Sequence, residues 1–251
     1  MISTVIVTHN EAEKLERCLI SVNKFSDEIL VIDLESTDNV KEVCQKYQAK
    51  IVSHPKVSHV ELIRNLAITK SKYEWVLVLD PDEKITFELG KFLVEFSKQN
   101  KFVALNIARK NIFFGRFISH TNFWPDPQIR FFKKKHIDWP TKIHTYPKIE
   151  GEIMNLDINS NLVIEHYGYD NLSEFFDRQD RYSSVEAKYL LDQGKHFSVI
   201  NLVWQPFREF LVRFIKYQAY LDGFYGVMLT LGLMWYQILI QLKLLKLSFK
   251  K

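Results

Sequence analysis

An apolar run that stops at two aspartates constrains the fold of this chain more than any other stretch. Residues 75–79 read Trp-Val-Leu-Val-Leu, and Asp80, Pro81 and Asp82 follow directly. Such a run predicts a strand buried on both faces, as in a parallel sheet flanked by helices. Pro81 ends it, because proline cannot donate to a strand ladder. We therefore expect both carboxylates at the carboxyl edge of the sheet, where open α/β sheets bind ligands.

Strands and helices alternate before this run. Apolar runs at 2–7, 28–33 and 51–52 predict three further strands, each followed by apolar residues at helical spacing. Ser58 and Glu61 have the spacing of a capping box, so we expect Ser58 to open the next helix. The predicted fold class is α/β, with a Rossmann-like, doubly wound and mostly parallel sheet that carries helices on both faces.

The rest of the chain reads differently. Strands are predicted at 102–107 and 128–132, between glycines, prolines and aromatic residues that indicate loops. Asn171, with Glu174 as its box partner, opens a long helix, and Gly194 is placed to end it. We predict an α/β domain over residues 1–170 and a C-terminal helical appendage over 171–251.

Composition excludes several classes of protein. Hydrophobic residues are 47% and charged residues 25% of the 251, which indicates a globular chain. The net charge of +4 comes without a basic stripe, so no nucleic-acid partner is expected. Cys18 and Cys44 lie in helical segments and predict buried thiols in a reducing compartment. The chain enters a strand at once, so we expect no signal peptide and a cytoplasmic location.

The C-terminal segment favours a lipid surface. Residues 224–242 carry no charge, and lysines follow them. Aromatic residues flanked by lysines describe a helix in the bilayer interface, although the length also allows a membrane span, a core helix or a homodimer helix. We expect peripheral attachment to the inner face of the cytoplasmic membrane.

Four loops are predicted to converge at the carboxyl edge of the sheet, at residues 8–11, 33–38, 64–65 and 80–82. Two carry acids suited to a ribose and a metal, and one carries an arginine suited to a diphosphate. Aspartate oxygens suit Mg²⁺ or Mn²⁺. Neither G-x-G-x-x-G nor a Walker lysine loop is present, which disfavours a dinucleotide enzyme and a P-loop NTPase. The sequence therefore predicts a nucleoside-diphosphate site.

The order of the motifs resembles that of family 2 glycosyltransferases with the GT-A fold. TVIVTHNEAEKLERCLISV, DEILVIDLESTDNV, IRNLA and WVLVLDPDE follow one another as in that family. The likeness is closer to bacterial lipopolysaccharide-core β-glucosyltransferases, through the segments Phe-Trp-Pro-Asp at 123–126, Gln-Ile-Arg-Phe-Phe at 128–132, Lys-Ile-His at 142–144 and Tyr-Leu-Asp-Gly-Phe at 220–224.

This resemblance implies an inverting, metal-dependent transfer from a nucleotide-diphosphate sugar, with a UDP-sugar favoured. The acceptor is expected to be a glycan or a lipid-linked molecule in cell-envelope polysaccharide or lipopolysaccharide synthesis. Residues 1–110 would form the nucleotide-binding half, and the loops of 111–170 would receive the acceptor. A non-catalytic sugar-nucleotide-binding module remains an alternative, as does a nucleotidyltransferase, although the loop at 8–11 has neither the glycines nor the lysine of that class.

The resemblance also implies residue roles. Substrate binding falls to Thr8, His9, Asn10 and Glu11 around the nucleoside, Asp33 at the base or ribose, Arg64 and Asn65 near the base or phosphates, Asp80 at the ribose or a metal-bound water, and Arg130, which is expected to pair with a carboxylate or phosphate. Asp82 would bind Mn²⁺ or Mg²⁺ directly, with Asp80 beside it.

The general base is less well defined. Relatives tend to carry glutamate after the histidine of the third motif, whereas this chain has Thr145 after His144. We predict Asp126 as the base, provided that surrounding aromatic residues desolvate it, and His144 as the other catalytic candidate; His166 and Asp138 are weaker candidates. A second departure is Glu35, which stands where the family usually has glycine.

Overall fold

The computed structural model describes residues 1–141 and 146–249 and divides into two compact units. Unit 1 comprises Met1–Arg109 and Asp126–His166, and unit 2 comprises Lys110–Pro125 and Tyr167–Lys251. Residues 110–125, which the sequence groups with the α/β domain, therefore lie in unit 2. The functional boundary at residue 170 stays a prediction.

The chain alternates strands and helices before it becomes helical. In chain order the elements are β1 (Ile2–Thr8), α1 (Ala12–Val22), β2 (Glu28–Asp33), α2 (Val40–Lys46), β3 (Lys50–Ser53), α3 (Glu61–Lys70), β4 (Trp75–Leu79), β5 (Glu83–Ile85), α4 (Phe87–Phe96), β6 (Ala104–Phe113), β7 (Arg116–Phe117), β8 (Pro127–Lys133), a 3-10 turn (Lys134–His136), β9 (Ile137–Asp138), β10 (Lys148–Ile149), β11 (Ile153–Asn155), β12 (Val163–Tyr169), α5 (Leu172–Asp192), α6 (Val199–Phe210), a π-helix (Leu211–Lys216), a 3-10 turn (Ala219–Asp222) and α7 (Gly223–Ser248).

The main sheet has the strand order β3-β2-β1-β4-β8-β6-β12-β5, with β7 and β11 also paired to β6. The first four strands are parallel, and the register aligns Thr8 with Asp33 and Ile6 with Leu79. Beyond β4 the sheet becomes mixed, since β8 runs antiparallel to both β4 and β6. The predicted doubly wound α/β sheet is confirmed, and β2 and β4 have the predicted bounds.

Two hydrophobic cores cover the two faces of the parallel strands. In β4, Trp75, Leu77 and Leu79 point into one core, whereas Val76 and Val78 point into the other. Successive side chains of a strand face opposite sides, so a strand with a core on each face favours apolar residues at every position. This explains why residues 75–79 contain no polar residue.

The start of α3 differs from the prediction. The helix begins at Glu61, and Val60 precedes it without a side-chain cap. The hydroxyl of Ser58 instead lies 2.9 Å from Nδ1 of His59. The capping box predicted at Ser58 is wrong. Ser58 lies two residues before the N-cap position, Val60, and its hydroxyl pairs with the side chain of His59 and not with the backbone of the helix.

Unit 2 follows its predicted helix signals. The side chain of Asn171 accepts a hydrogen bond of 2.9 Å from the backbone of Glu174, which opens α5 as a cap. Gly194, at φ +74°, lies just past the C-terminus of this helix, as predicted. The contact of α5 with α7 is close, since a Cβ on Gly232 would lie 2.2 Å from the ring of Phe175.

Candidate functional site

Two of the predicted loops lie side by side at the carboxyl edge of the parallel strands. The side chain of Asn10, whose backbone is left-handed at φ +54°, accepts a hydrogen bond of 2.7 Å from the backbone N–H of Thr37. The backbone N–H of Asn10 donates to the hydroxyl of Ser36 at 2.9 Å. The turn after β1 is therefore fixed against the turn after β2, and Glu11, half-buried, leads from it into α1.

Thr8 and Asp33 form the floor of this edge. Thr8 is 1% and Asp33 2% exposed, and they are register partners in β1 and β2. One carboxylate oxygen of Asp33 accepts from the backbone of Ser36 at 3.0 Å. The hydroxyl of Thr8 has no hydrogen-bond partner within residues 1–141 and 146–249. Because buried polar atoms are nearly always satisfied, this hydroxyl is suited to a ligand.

His9 has a partner that the sequence reasoning missed. The ammonium group of Lys56, in the loop after β3, donates to Nε2 of His9 at 2.9 Å. This contact orients the ring, and Nδ1 of His9 is buried without a partner in the described part of the chain. A lysine in a surface loop gives no sequence signal of this pairing, which joins residues 47 positions apart.

Glu35 occupies a backbone conformation that favours glycine. Its φ is +57°, in the left-handed region that side chains with a Cβ populate at a cost. Its carboxylate lies 3.4 Å from the backbone N–H of Lys56. The departure from the family pattern is therefore a substitution at a strained turn position.

Asp80 is held between two arginines. Nη2 of Arg64 donates to Oδ1 of Asp80 and Nη2 of Arg130 donates to Oδ2, both at 2.7 Å. Burial tends to raise the pKa of Asp80, but the charges and hydrogen bonds of Arg130 and Arg64 outweigh it and hold the pKa well below its usual range. Arg130 thus pairs with a carboxylate, as expected. The guanidinium of Arg64 also stacks 4.7 Å from the ring centroid of Trp139.

Glu83 continues this network, although the sequence reasoning assigned it no role. Its side chain is fully buried, and Oε1 accepts from Arg130 at 2.9 Å and from Arg109 at 3.1 Å. Its other oxygen accepts from the backbone N–H of Asp80 at 3.0 Å. Through these hydrogen bonds the buried Glu83 stabilises the turn after β4.

Asp126 lies at the end of the same network. Its Oδ2 accepts from Nε and Nη2 of Arg109 at 2.8 and 2.6 Å, and its Oδ1 accepts from the amide of Gln128 at 2.8 Å. These contacts place a guanidinium and an amide against the carboxylate, for which the sequence predicted aromatic surroundings. Asp126 as the general base stays a prediction.

Asp82 lies beside a histidine that is distant in sequence. Its Oδ2 is 3.5 Å from Nε2 of His166, and the two side chains are 10% and 16% exposed. An aspartate oxygen suits Mg²⁺ or Mn²⁺, and an imidazole nitrogen is a common ligand of divalent transition metals. Both oxygens of Asp80 are bound by arginines, so Asp80 fits direct coordination less well. Within the described ranges no cluster of three His, Cys, Asp or Glu could hold an ion alone, and such cations commonly add substrate phosphates as ligands.

The remaining candidates are dispersed. The side-chain amide of Asn65 donates to the carbonyl of Trp139 at 2.8 Å and accepts from its backbone N–H at 2.9 Å, so this side chain anchors the segment around β9. Oδ1 of Asp138 lies 3.4 Å from the same amide. His144 lies outside the described residues.

Comparisons with known proteins show the family and the fold. The model of the family "Glycosyl transferase family 2" matches residues 3–149. An uncharacterised glycosyltransferase of Rickettsia typhi is 27% identical over 259 residues, which cover 99% of this chain and 88% of the relative. Another from Rickettsia bellii is 28% identical over 250 residues, which cover 91% and 81%. S. aureus TarS in complex with UDP-GlcNAc aligns at TM-score 0.51 and 16% identity over 74% of this chain and 66% of the TarS chain, just under two thirds.

Proposed function

This chain belongs to glycosyl transferase family 2 and has the GT-A fold, and on that basis we propose that it transfers a sugar with inversion from a UDP-sugar to an acceptor hydroxyl. The observation that carries the proposal is the acidic turn after β4. In this turn Asp82 lies 3.5 Å from His166, and Asp80 pairs with two arginines. The turn combines a cation site with fixed positive charge, as a nucleotide-diphosphate donor requires.

The nucleoside is proposed to bind at the edge formed by β1 and β2. The hydroxyl of Thr8, which has no partner in the described part of the chain, the carboxylate of Asp33 and the left-handed turn at Asn10 supply polar groups there. The fold neighbour TarS was solved with UDP-GlcNAc, which supports a uridine nucleotide as the first donor to test. Glu11, His9 and Asn65 complete the proposed set, with Asn65 acting through the segment that it anchors.

Asp82 and His166 are the residues proposed to hold Mn²⁺ or Mg²⁺. A bound divalent cation offsets the negative charge that develops on a leaving diphosphate. A cation coordinated by Asp80 would lie next to the guanidinium charges of Arg64 and Arg130, which disfavours direct coordination. We therefore assign Asp80 mainly to orienting these two arginines, which lie 6% and 4% exposed and bring positive charge to the diphosphate side.

A base must remove the proton of the acceptor hydroxyl as that hydroxyl attacks the sugar. Asp126 remains our first candidate, because it is the carboxylate of the loop at 123–126, which follows the predicted metal site in the order of the motifs. Arg109 bonds both Asp126 and Glu83, and Glu83 bonds the backbone of Asp80. Through these contacts Arg109 positions Asp126 relative to the proposed donor site. His144 is the second candidate.

The acceptor is proposed to be a glycan or lipid-linked molecule of the cell envelope, reached from the inner face of the cytoplasmic membrane. Among the described residues, one helical stretch, Ala219–Ser248, is long and apolar enough by length and composition to cross a bilayer. Most of this stretch is helix α7, whose Thr230 and Gln241 are buried in unit 2. The ammonium group of Lys243 donates a hydrogen bond to the hydroxyl of Ser183 at 2.8 Å. These polar contacts favour attachment at the surface of a bilayer over a span.

A non-catalytic sugar-nucleotide-binding module is the second candidate. It is favoured by one observation, the commitment of both Asp126 oxygens to Arg109 and Gln128. Release of UDP from a panel of UDP-sugars, with Mn²⁺ and with excess EDTA, separates the two. Turnover that needs Mn²⁺ supports the transferase, whereas Mn²⁺-dependent binding without any turnover supports the module.

A further inference from the structure

Helix α6 exposes an apolar face. Five large apolar side chains are at least half exposed along one stripe, namely Val199 at 65%, Ile200 at 77%, Val203 at 68%, Trp204 at 50% and Phe207 at 50%. They recur at the spacing that places residues on one side of a helix. We call this stripe the α6 face. An apolar face of this kind on a surface helix marks an interaction site.

The opposite side of α6 is the side that packs within unit 2. Pro206 and Glu209 are buried there, and Glu209 accepts a hydrogen bond of 2.6 Å from Arg213. The helix is thus placed with its polar and packed side inward and its apolar side outward. Folding alone does not explain an exposed apolar stripe, because a helix of a monomer would gain by burying it.

The exposed charges of residues 193–224, which comprise α6 and its flanks in sequence, have one sign. They are Lys195, Arg208 and Lys216, and Asp192, at the end of α5, is the exposed acid that precedes them. Basic residues beside a stripe with tryptophan and phenylalanine are typical of a helix lying in the interface of an anionic bilayer. A second copy of the same face would bring these like charges together, so the charge pattern favours lipid over self-association.

The α6 face is also connected to the loop before Asp126. The π-helix that continues α6 carries Arg213, which donates to the carbonyl of Thr121 at 2.7 Å. The backbone N–H of Thr121 donates to the carbonyl of Tyr217 at 3.1 Å. Asp222 accepts from the backbone of His120 at 2.8 Å and from the hydroxyl of Ser119 at 3.0 Å. Residues 119–121 are therefore held by the same helical segment that carries the α6 face.

We propose that the α6 face docks this protein on an anionic lipid surface and that the loop 119–125 is held there to meet a lipid-borne acceptor. The assignment of the acceptor rests on the proposed transferase function, whereas docking does not. The apolar side chains enter the interface, and Lys195, Arg208 and Lys216 contact lipid phosphates. Helix α7 stays packed within unit 2.

Co-sedimentation with vesicles of phosphatidylglycerol and phosphatidylcholine tests the docking. The double variant Ile200→Glu/Val203→Glu places two acids on the α6 face, at side chains too exposed to disturb the core. We expect its partitioning to fall by about tenfold or more. The matched control is Ile20→Glu/Leu62→Glu, which makes the same change at exposed positions of α1 and α3 and should bind as the wild type does. A thermal melt and UDP binding of each variant report folding and the donor site separately.

Brominated lipids, which quench tryptophan fluorescence, identify the helix that enters the interface. Trp204→Phe keeps an apolar side chain in α6 and should bind vesicles but lose most of the quenching, whereas Trp235→Phe in α7 should keep it. Wild-type protein that ignores anionic vesicles overturns the proposal. So does quenching that survives Trp204→Phe and disappears in Trp235→Phe, or a dimer that the double α6 variant dissociates in the absence of lipid.

Discussion

At the scale of residues, the acidic turn is part of a chain of alternating charges. Arg64, Asp80, Arg130, Glu83, Arg109 and Asp126 follow one another through contacts of 2.6–3.1 Å. Arg130 and Arg109 each lie between two carboxylates, and Arg64 pairs with one, which offsets the cost of removing these charges from water. The turn after β4 is therefore held rigid before any ligand binds, and its two aspartates have different environments.

Asp80→Asn should destabilise the fold far more than Asp82→Asn. The first substitution leaves the buried cations of Arg64 and Arg130 without one carboxylate, a loss of about 3 kcal/mol in the free energy of unfolding. Asp82 lies 3.5 Å from the imidazole of His166, which lacks the permanent charge of the two guanidinium groups at Asp80, so the loss in Asp82→Asn should be smaller. Urea unfolding of both variants at pH 7 measures the difference, and equal losses would contradict the structural role of Asp80.

The same carboxylate predicts a dependence on pH. The pKa of Asp80 is lower in the folded than in the unfolded protein, so its contribution to stability is present above the unfolded pKa of about 3.9 and is lost as the pH falls below it. Stability measured between pH 6 and pH 3 should fall more steeply in the wild type than in Asp80→Asn. Parallel curves would show that the arginines do not stabilise the charged form.

Asp126→Asn should lower turnover by about two orders of magnitude or more, the scale of a lost general base, and leave UDP binding unchanged. The reason is that the amide cannot accept the proton of the acceptor hydroxyl. Arg109→Lys serves as the control for positioning, since it keeps a cation but loses the two-pronged contact. Near wild-type rates in Asp126→Asn together with loss of activity in His144→Ala would transfer the role to His144.

At the scale of elements, the ends of α5 have the predicted chemistry. Asn171→Ala should reduce stability by about 1 kcal/mol, because the backbone N–H of Glu174 loses its acceptor. Asn171→Asp, which keeps an oxygen in place, should leave stability nearly unchanged. The Tm of each variant tests this expectation. Equal Tm values for the two variants would show that the cap does not stabilise α5.

Helices α1 and α2 each bury one thiol. Burial, reinforced by the charge of Asp33, raises the pKa of Cys44 to about 11. Burial, with the charges of Glu83, Asp80 and Asp82, raises the pKa of Cys18 well above its usual range. Since the thiolate is the nucleophile, iodoacetamide at pH 8 should modify neither cysteine in the folded protein and both in denaturant. Rapid labelling of the folded protein would contradict this packing.

At the scale of the whole molecule, donor binding should appear as stability. UDP at about 100 times its Kd should add about 2.7 kcal/mol, measured as a rise in Tm. Part of that rise should require Mn²⁺, and only this part should vanish in Asp82→Asn. Asp157→Asn, at an exposed aspartate of unit 1, is the matched control and should respond as the wild type does. If neither EDTA nor Asp82→Asn changes the UDP-induced rise in Tm, the metal has to be removed from the proposal.

The sequence alone determined the local features of the fold. The bounds of β2 and β4 follow from the apolar runs at 29–32 and 75–79, because a strand with a core on each face is apolar over most of its length. The cap of α5 and its glycine terminator follow from backbone groups that a helix end leaves unsatisfied. The order of the motifs was enough to indicate the family, since it reflects the order of loops along one sheet edge.

Only the tertiary structure decided how the acidic residues differ. In the sequence Asp80 and Asp82 are equivalent members of one D-x-D motif. In the structure Asp80 pairs with Arg64 and Arg130, whereas Asp82 lies beside His166. The partners come from 16, 50 and 84 positions away along the chain. Electrostatic environment depends on which distant side chains the packed core brings within a few ångströms, and no local pattern of residues encodes that distance.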